Sequence, residues 1–191
     1  MKINLASNSL RRQKLLQQIG VDFDVIDISI NEVWDRQELA KDYVMRMALE
    51  KAYAAKLKVH NKAPILAADT SVILDDIVLG KAETAQDAKK MLQQLSGRAH
   101  QVYTAVALLG ADELFRLQIS QVHFRCLSET EIMQYCDTQE PLGKAGGYAI
   151  QGQGAIFIKH LAGSYSGVMG LPLFEIAEML QQLVDHQGSV E

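Results

Sequence analysis

The sequence predicts a mixed α/β fold, a twisted sheet flanked by helices. Three observations predict it. Strand-like and helix-like segments alternate along the 191 residues. The first unit is a strand, a polar turn and a helix. Hairpin patterns in the middle of the chain favour a mixed sheet over a purely parallel one. A composition of 48% hydrophobic and 22% charged residues is that of one ordinary globular domain, or one domain with two lobes. A chain of this length buries roughly 70% of its unfolded surface and needs neither disulfide nor metal to hold its core.

The elements follow in order. Ile3 to Ala6 reads as a strand, Ser7-Asn8-Ser9 as a turn or cap, and Leu10 to Ile19 as a helix with Leu15, Leu16 and Ile19 at helical spacing. Gly20 sits where that helix stops. Phe23 to Ile30 reads as a strand. Glu38 to Leu57 reads as a long helix, with Val44, Met47, Ala48, Tyr53 and Ala54 in rough 3.6-residue rhythm. Pro64 to Ala68 is a strand ending at Asp69-Thr70, and Ser71 to Leu79 a hairpin about Asp75-Asp76. Thr84 caps a helix to Leu95, with Asp87 three residues on and Gly97 just past its end. Gln101 to Leu109 and Leu114 to Phe124 are strands. Ser128 and Glu131 form a capping box for a helix to Cys136. Residues 148 to 158 alternate as a strand, with Gly152 and Gly154 marking a bend or close approach. Pro172 fits the first turn of a last helix ending near Val184, and frayed polar residues follow.

Composition excludes several functions. With 19 Lys+Arg against 23 Asp+Glu the net charge is -4, which disfavours general nucleic-acid binding. No stretch approaches the ~20 apolar residues that span a bilayer. Arg11 and Arg12 interrupt any apolar signal segment, so a cytoplasmic protein is expected. Cys126 and Cys136 match no metal spacing, and the five histidines show no ligand motif. A zinc enzyme and a nucleophilic hydrolase are both disfavoured.

Two places can carry chemistry. Leu5-Ala-Ser-Asn-Ser-Leu-Arg-Arg12 puts hydroxyls and guanidiniums at the start of a helix that follows a strand. Free N–H groups and the dipole make that an anion cradle; the alternative is a capped helix with a solvated Arg pair. Asp69, at the predicted end of a buried strand, suits cation binding or proton abstraction from water, or it simply starts a turn. Lys51, Lys81 and Glu32 are ambiguous between solvated and functional. Lys144-Ala-Gly-Gly-Tyr-Ala-Ile-Gln-Gly-Gln-Gly154 is glycine-rich but is not a P-loop. Its Gln151 suits reading a base edge or bonding backbone in a bend.

Taken together, Ser7-Asn-Ser-Leu-Arg11-Arg12, Glu32, Glu50-Lys51-Ala, Ala68-Asp69-Thr70, Gly80-Lys81 and Lys144-Ala-Gly-Gly-Tyr-Ala-Ile-Gln151-Gly resemble the Maf family of nucleoside triphosphate pyrophosphatases. Val122-His-Phe-Arg125 and Gly170-Leu-Pro-Leu173 fit as well, and the match runs in register along nearly the whole chain. The resemblance implies one domain over 1–191, two lobes around a deep cleft as in inosine triphosphate pyrophosphatase, and often a homodimer. It implies hydrolysis of a nucleoside triphosphate between the α and β phosphates, with Mg2+ or Mn2+. It makes Asp69 the general base and Glu32 a metal or water holder, with Asp69 also a candidate metal ligand. Ser7, Arg11, Arg12, Lys51 and Lys81 then surround the triphosphate. Ala68-Asp69-Thr70 and Tyr148-Ala-Ile-Gln-Gly152 look like the dTTP/UTP branch, in which Arg12, Thr70 and Gln151 are associated with the choice of base. The alternatives are a nucleotide-binding regulator of cell division that has lost catalysis and a different phosphohydrolase that releases orthophosphate. Many members carry Pro where this chain has Leu10 and Ala82; the expectation is a looser first turn without loss of a contacting group.

Overall fold

The computed structural model describes residues 2–188. The chain forms two compact units. Unit 1 comprises 1–69, 104–118 and 170–191, and unit 2 comprises 70–103 and 119–169. One mixed sheet of seven strands has the order β2-β1-β3-β5-β6-β7, with β4 paired to β3. The unit boundaries fall inside β3 (Ile65–Leu74), β5 (Ala99–Leu109) and β6 (Glu113–Phe124).

Unit 1 opens with β1 (Lys2–Leu5), α1 (Leu10–Gln18) and β2 (Asp22–Val25). β1 is buried from Ile3 to Leu5 and lies parallel to both β2 and β3. Gly20 ends the first helical region with φ +70, a conformation open to glycine at no steric cost. β2 is shorter than the Val/Ile-rich run suggested. After Val25 the chain carries no regular structure to Leu39, because alternation alone does not supply a partner strand. α2 (Ala40–Lys56) buries Tyr43, Val44, Met47, Ala48, Lys51, Ala52 and Ala55. That stripe is the i, i+3, i+4, i+7 face of an amphipathic helix. The sequence rhythm placed Tyr53 on this face; it is 39% exposed, and Lys51 occupies the stripe instead.

β3 is one continuous ten-residue strand. The expectation that a strand ends at Asp69 is therefore corrected: Asp69 is buried within β3, between buried Leu66 to Ala68 before it and buried Ser71 to Leu74 after it. The hairpin to β4 (Ile77–Leu79) turns on Asp75 and Asp76 as expected, with φ of +51 and +63. Positive φ at both central residues is the two-residue turn that matches strand twist, and Asp tolerates it.

Unit 2 has its own core. α3 (Ala85–Leu95) and α4 (Glu129–Asp137) each start with the capping box read from sequence, Thr84 with Asp87 and Ser128 with Glu131. Leu92, Leu95, Val102, Val122, Phe124, Ile132, Tyr135, Tyr148 and Phe157 pack into one cluster. The expected strand over 148–158 is not formed. The segment runs through turns into a short 3-10 helix, Gln153–Phe157, and only then into β7 (Ile158–Ala162). Side chains rather than a strand partner hold its first half, as described below. A short α5 (Tyr165–Met169) precedes α6 (Leu173–Gly188). The frayed end expected beyond Val184 falls partly outside the described residues. Among the described residues, no helix is long and apolar enough to cross a membrane.

His100 is 3% exposed on β5. Its Nε2 pairs with the Tyr148 hydroxyl at 2.8 Å, and its ring meets Phe124 edge to face. Its Nδ1 is buried without a hydrogen-bond partner among the described residues. Burial, and secondarily His123, lower its pKa from 6.5 to about 4. Between these values the unfolded chain binds a proton that the folded chain does not, so stability rises with pH through that window. Acidification from pH 6.5 to 4 is expected to remove about 3 kcal/mol through this group. His100→Phe should flatten the pH dependence of Tm over that window; an unchanged slope would assign the effect elsewhere.

Candidate active site

The parallel strands β2, β1 and β3 stand side by side, and each delivers candidate side chains beyond its paired end. In the register Leu5 opposes Leu66 and Val25. Ser7 follows β1, Glu32 follows β2, and Asp69 lies three residues beyond Leu66 on β3. The carboxyl ends of adjacent parallel strands are where open α/β sheets place their ligands.

Lys51 is the centre of this group. Its Nζ lies 2.6 Å from Asp69 Oδ1 and 2.8 Å from Glu32 Oε1. The Lys51 and Asp69 side chains are each only 7% exposed, and Glu32 is 28% exposed. A buried ammonium shared by two carboxylates needs both partners, since an unpaired buried charge is strongly unfavourable. α2 sets Lys51 in place by carrying it on its apolar face between Ala48 and Ala52.

Glu32 lies in an irregular segment that side chains hold. Arg46 grips Glu38 with two bonds, at 2.8 and 2.7 Å, and donates to the Val33 carbonyl at 3.2 Å. Trp34 Nε1 donates to the Glu38 carbonyl at 3.0 Å. The Tyr43 hydroxyl donates to the Glu32 carbonyl at 3.3 Å, and its pKa is pushed up to about 12, first by burial and then by the Asp69 and Glu32 charges. None of these supports was singled out from the sequence. The signal for Arg46 was its position four residues before Glu50, a helix-surface ion pair now seen at 3.0 Å.

The cradle at the start of α1 is ordered in a way the sequence did not show. Ser9 is its N-cap but makes no side-chain cap bond. Ser7 Oγ instead accepts from the Ser9 amide at 3.2 Å and from Arg12 Nη1 at 3.3 Å. Arg12 Nε donates to the Gly170 carbonyl at 2.8 Å, which gives the Gly170-Leu-Pro-Leu173 motif a physical task. Burial lowers the Arg12 pKa most; the Asp69 and Glu32 charges oppose that, and Arg11 adds to it. Burial also lowers the Arg11 pKa. Both guanidiniums remain cationic at neutral pH. Leu10, the first residue of α1, is 71% exposed, so its side chain takes little part in the core.

The structure thus brings Ser7, Arg12, Glu32, Lys51 and Asp69 together within unit 1, with Arg11 beside Arg12. Thr70, half-buried, opens unit 2, which also contains exposed Lys81 and exposed Gln151. The Gly80-Lys81-Ala82 and Lys144 motifs are laced together. Lys81 bridges Ala145, Ala82 N donates to the Lys144 carbonyl at 3.1 Å, and Gly146 N donates to the Gly80 carbonyl at 3.2 Å. Ala82 precedes α3 rather than starting a helix, and a Pro there would lack the N–H it uses. The expected loosening at Ala82 is therefore corrected to a gained hydrogen bond. Gly146 holds φ +66, and a Cβ on it would lie 2.8 Å from Val72 Cγ2, so this bend requires glycine.

A family model described as Maf-like protein matches residues 2–183. The chain belongs to the Maf family. Among Maf relatives it is 48% identical to a dTTP/UTP pyrophosphatase of Alkalilimnicola ehrlichii, across 97% of this chain and 95% of that protein. It is 50% identical to a nucleoside triphosphate pyrophosphatase of Xylella fastidiosa strain 9a5c, across 92% of this chain and 95% of that protein. It is 46% identical to a dTTP/UTP pyrophosphatase of Bordetella pertussis, across 94% of this chain and 91% of that protein. Among solved structures, the Staphylococcus aureus Ham1 protein aligns with TM-score 0.48 and 18% identity, over 83% of this chain and 80% of its own.

Proposed function

We propose that this Maf protein hydrolyses dTTP and UTP between the α and β phosphates, releasing the nucleoside monophosphate and pyrophosphate. The observation that carries the reading is the buried Lys51 bridging Glu32 and Asp69 beside the Ser7–Arg12 cradle, in a chain similar along its length to dTTP/UTP pyrophosphatases.

Asp69 takes a proton from the attacking water. The water oxygen bonds to the α-phosphorus as the bond from that phosphorus to the α–β bridging oxygen breaks, and the electron pair leaves on that oxygen with pyrophosphate. Lys51 fixes Asp69 Oδ1, so the carboxylate needs little reorganisation during the step. Ser7, Arg11, Arg12 and Lys81 bind the phosphates and stabilise the charge that grows on the leaving group. Positioning and charge stabilisation supply most of the acceleration in such transfers. Thr70 and Gln151 read the uracil or thymine edge, through a hydroxyl and a neutral amide that match its donors and acceptors. A site that hydrogen-bonds its base rejects a mismatched edge far better than an apolar pocket does.

The donor set fits a divalent cation. Glu32 and Asp69 are hard oxygen donors beside a phosphate cradle, and no cluster of three His, Cys, Asp or Glu suited to a metal occurs among the described residues. Mg2+ or Mn2+ held by one or two carboxylates and completed by phosphate and water is the usual arrangement at such sites. Glu32 and Asp69 would hold it; when bound, it supplies charge neutralisation on phosphate and a more acidic water. The same reading has the protein work as a cytoplasmic homodimer, which sedimentation checks. A silent nucleotide-binding regulator would need the cradle but not the Lys51–Asp69 pair.

A panel of nucleoside triphosphates with Mg2+ or Mn2+ tests the reading. Preference for dTTP and UTP supports it. Preference for another base keeps the pyrophosphatase and removes the roles of Thr70 and Gln151.

A further inference from the structure

Gln151 lies in a segment that no helix or strand holds. Between the end of α4 and the 3-10 helix the chain is a run of turns and irregular backbone, with isolated bridges only at Leu142 and Ala145. Its position therefore comes from specific bonds, and these converge on one hydroxyl and one carboxylate. The Tyr135 hydroxyl accepts from the Ala149 amide at 3.1 Å and donates to Glu140 Oε1 at 2.8 Å. Glu140 Oε1 also accepts from the Gly154 amide at 3.1 Å, and Glu140 Oε2 from the Gln153 amide at 3.0 Å. The segment 149–154 is thus gripped at both ends, with Gln151 exposed between them.

Both glycines of the segment lie directly against these two groups. A Cβ on Gly152 would fall on the Glu140 carboxylate, and one on Gly154 would lie 2.8 Å from the Tyr135 hydroxyl. Gln139, directly before Glu140, holds φ +61, a left-handed conformation uncommon for a non-glycine residue. Burial pushes the Glu140 carboxyl up, but the Gln153, Gly154 and Tyr135 bonds outweigh it and hold the group below its ordinary value. The carboxylate is the right chemical group, because it is acceptor-only and receives three donors. A Gln at 140 would place an NH2 against a backbone N–H at one of them.

We infer that Glu140 and Tyr135 are positioning residues that set the base-reading amide of Gln151, and so help to determine base preference without touching substrate. This rests on the reading of Gln151 given above. The Gly-x-Gly spacing at 152–154 follows from the same clamp, since each glycine makes room for one of its two members.

The test is steady-state kcat and KM on UTP and CTP for the full chain and for Glu140→Gln, Tyr135→Phe, Gly152→Ala and Gln151→Ala, with Tm recorded for each. Glu140→Gln and Gly152→Ala are expected to raise KM for UTP about tenfold and to lower the UTP/CTP ratio of kcat/KM about tenfold, with kcat nearly unchanged. Tyr135→Phe keeps the ring against Phe157 and should give the same direction with smaller size, so the test survives if Glu140→Gln fails to fold. Adding Glu140→Gln to Gln151→Ala should lower the ratio no further. If Gln151→Ala loses the preference while Glu140→Gln and Tyr135→Phe keep it, the clamp is overturned and the Gln151 reading stands. If Gln151→Ala keeps the wild-type preference, the Gln151 reading fails and the clamp's role in selectivity falls with it. Equal losses on UTP and CTP would mark the clamp as merely structural and overturn the inference.

Discussion

Asp69→Asn is expected to lower turnover of UTP by about 10²–10⁴-fold, the range that a positioned general base supplies, while nucleotide binding persists. The substitution is nearly isosteric. The amide oxygen can still face the Lys51 ammonium now 2.6 Å from Asp69 Oδ1, and Glu32 still holds that ammonium at 2.8 Å. What the amide lacks is the ability to take a proton from water. Equilibrium binding of UTP by calorimetry, beside single-turnover rates, separates the two effects. Near-normal turnover would remove Asp69 from its role. Loss of binding together with turnover would make Asp69 a binding group instead.

Lys51→Met should be the most damaging substitution for stability. The Lys51 and Asp69 side chains are each 7% exposed, so removing the ammonium leaves Asp69 buried without this partner. Breaking a buried pair by removing one member costs about 3–5 kcal/mol. In a chain of this size that corresponds to a fall in Tm of about 10 °C. The pair Lys51→Met with Asp69→Asn removes the buried negative charge as well, so it should recover a large part of the Tm and none of the activity. Thermal unfolding of the wild type, both single variants and the pair measures this coupling directly. A Lys51→Met protein as stable as the wild type would show that the carboxylates do not depend on Lys51.

Much of the fold was legible because local chemistry decided it. The capping boxes at Thr84 and Ser128, the Asp75-Asp76 turn and the stop at Gly20 each rest on residues adjacent in sequence. The misses depended on distant partners. Phe23 to Ile30 reads as strand throughout, but only Asp22–Val25 finds the β1 edge. Asp69 looks like a strand terminus because polar residues follow it, yet β3 continues through buried Ser71 to Leu74. Residues 148 to 158 alternate, but Tyr135 and Glu140 accept from the amides of Ala149, Gln153 and Gly154, so these are not paired in a strand.

The site divides in the same way. Its residue types were legible as motifs, whereas the bonds that arrange them were not. Lys51 is ambiguous in Glu50-Lys-Ala and gains a role only from the motif set as a whole; its burial on the apolar face of α2, where the helical rhythm puts Tyr53, carries no sequence signal. Arg12 was read as a phosphate ligand, and its anchor is a backbone carbonyl at Gly170, which carries no side-chain signal. Arg46 and Glu140 act on candidate residues through other groups, so no motif chemistry pointed to them.

The most direct test of the central claim is to follow UTP hydrolysis with Mg2+ by phosphorus NMR and identify the products. The account predicts UMP and pyrophosphate in equal amounts from the wild type, and neither at a comparable rate from Asp69→Asn. UDP and orthophosphate would contradict cleavage between the α and β phosphates. Tight binding of UTP with no product at all would contradict the enzyme and favour the regulator.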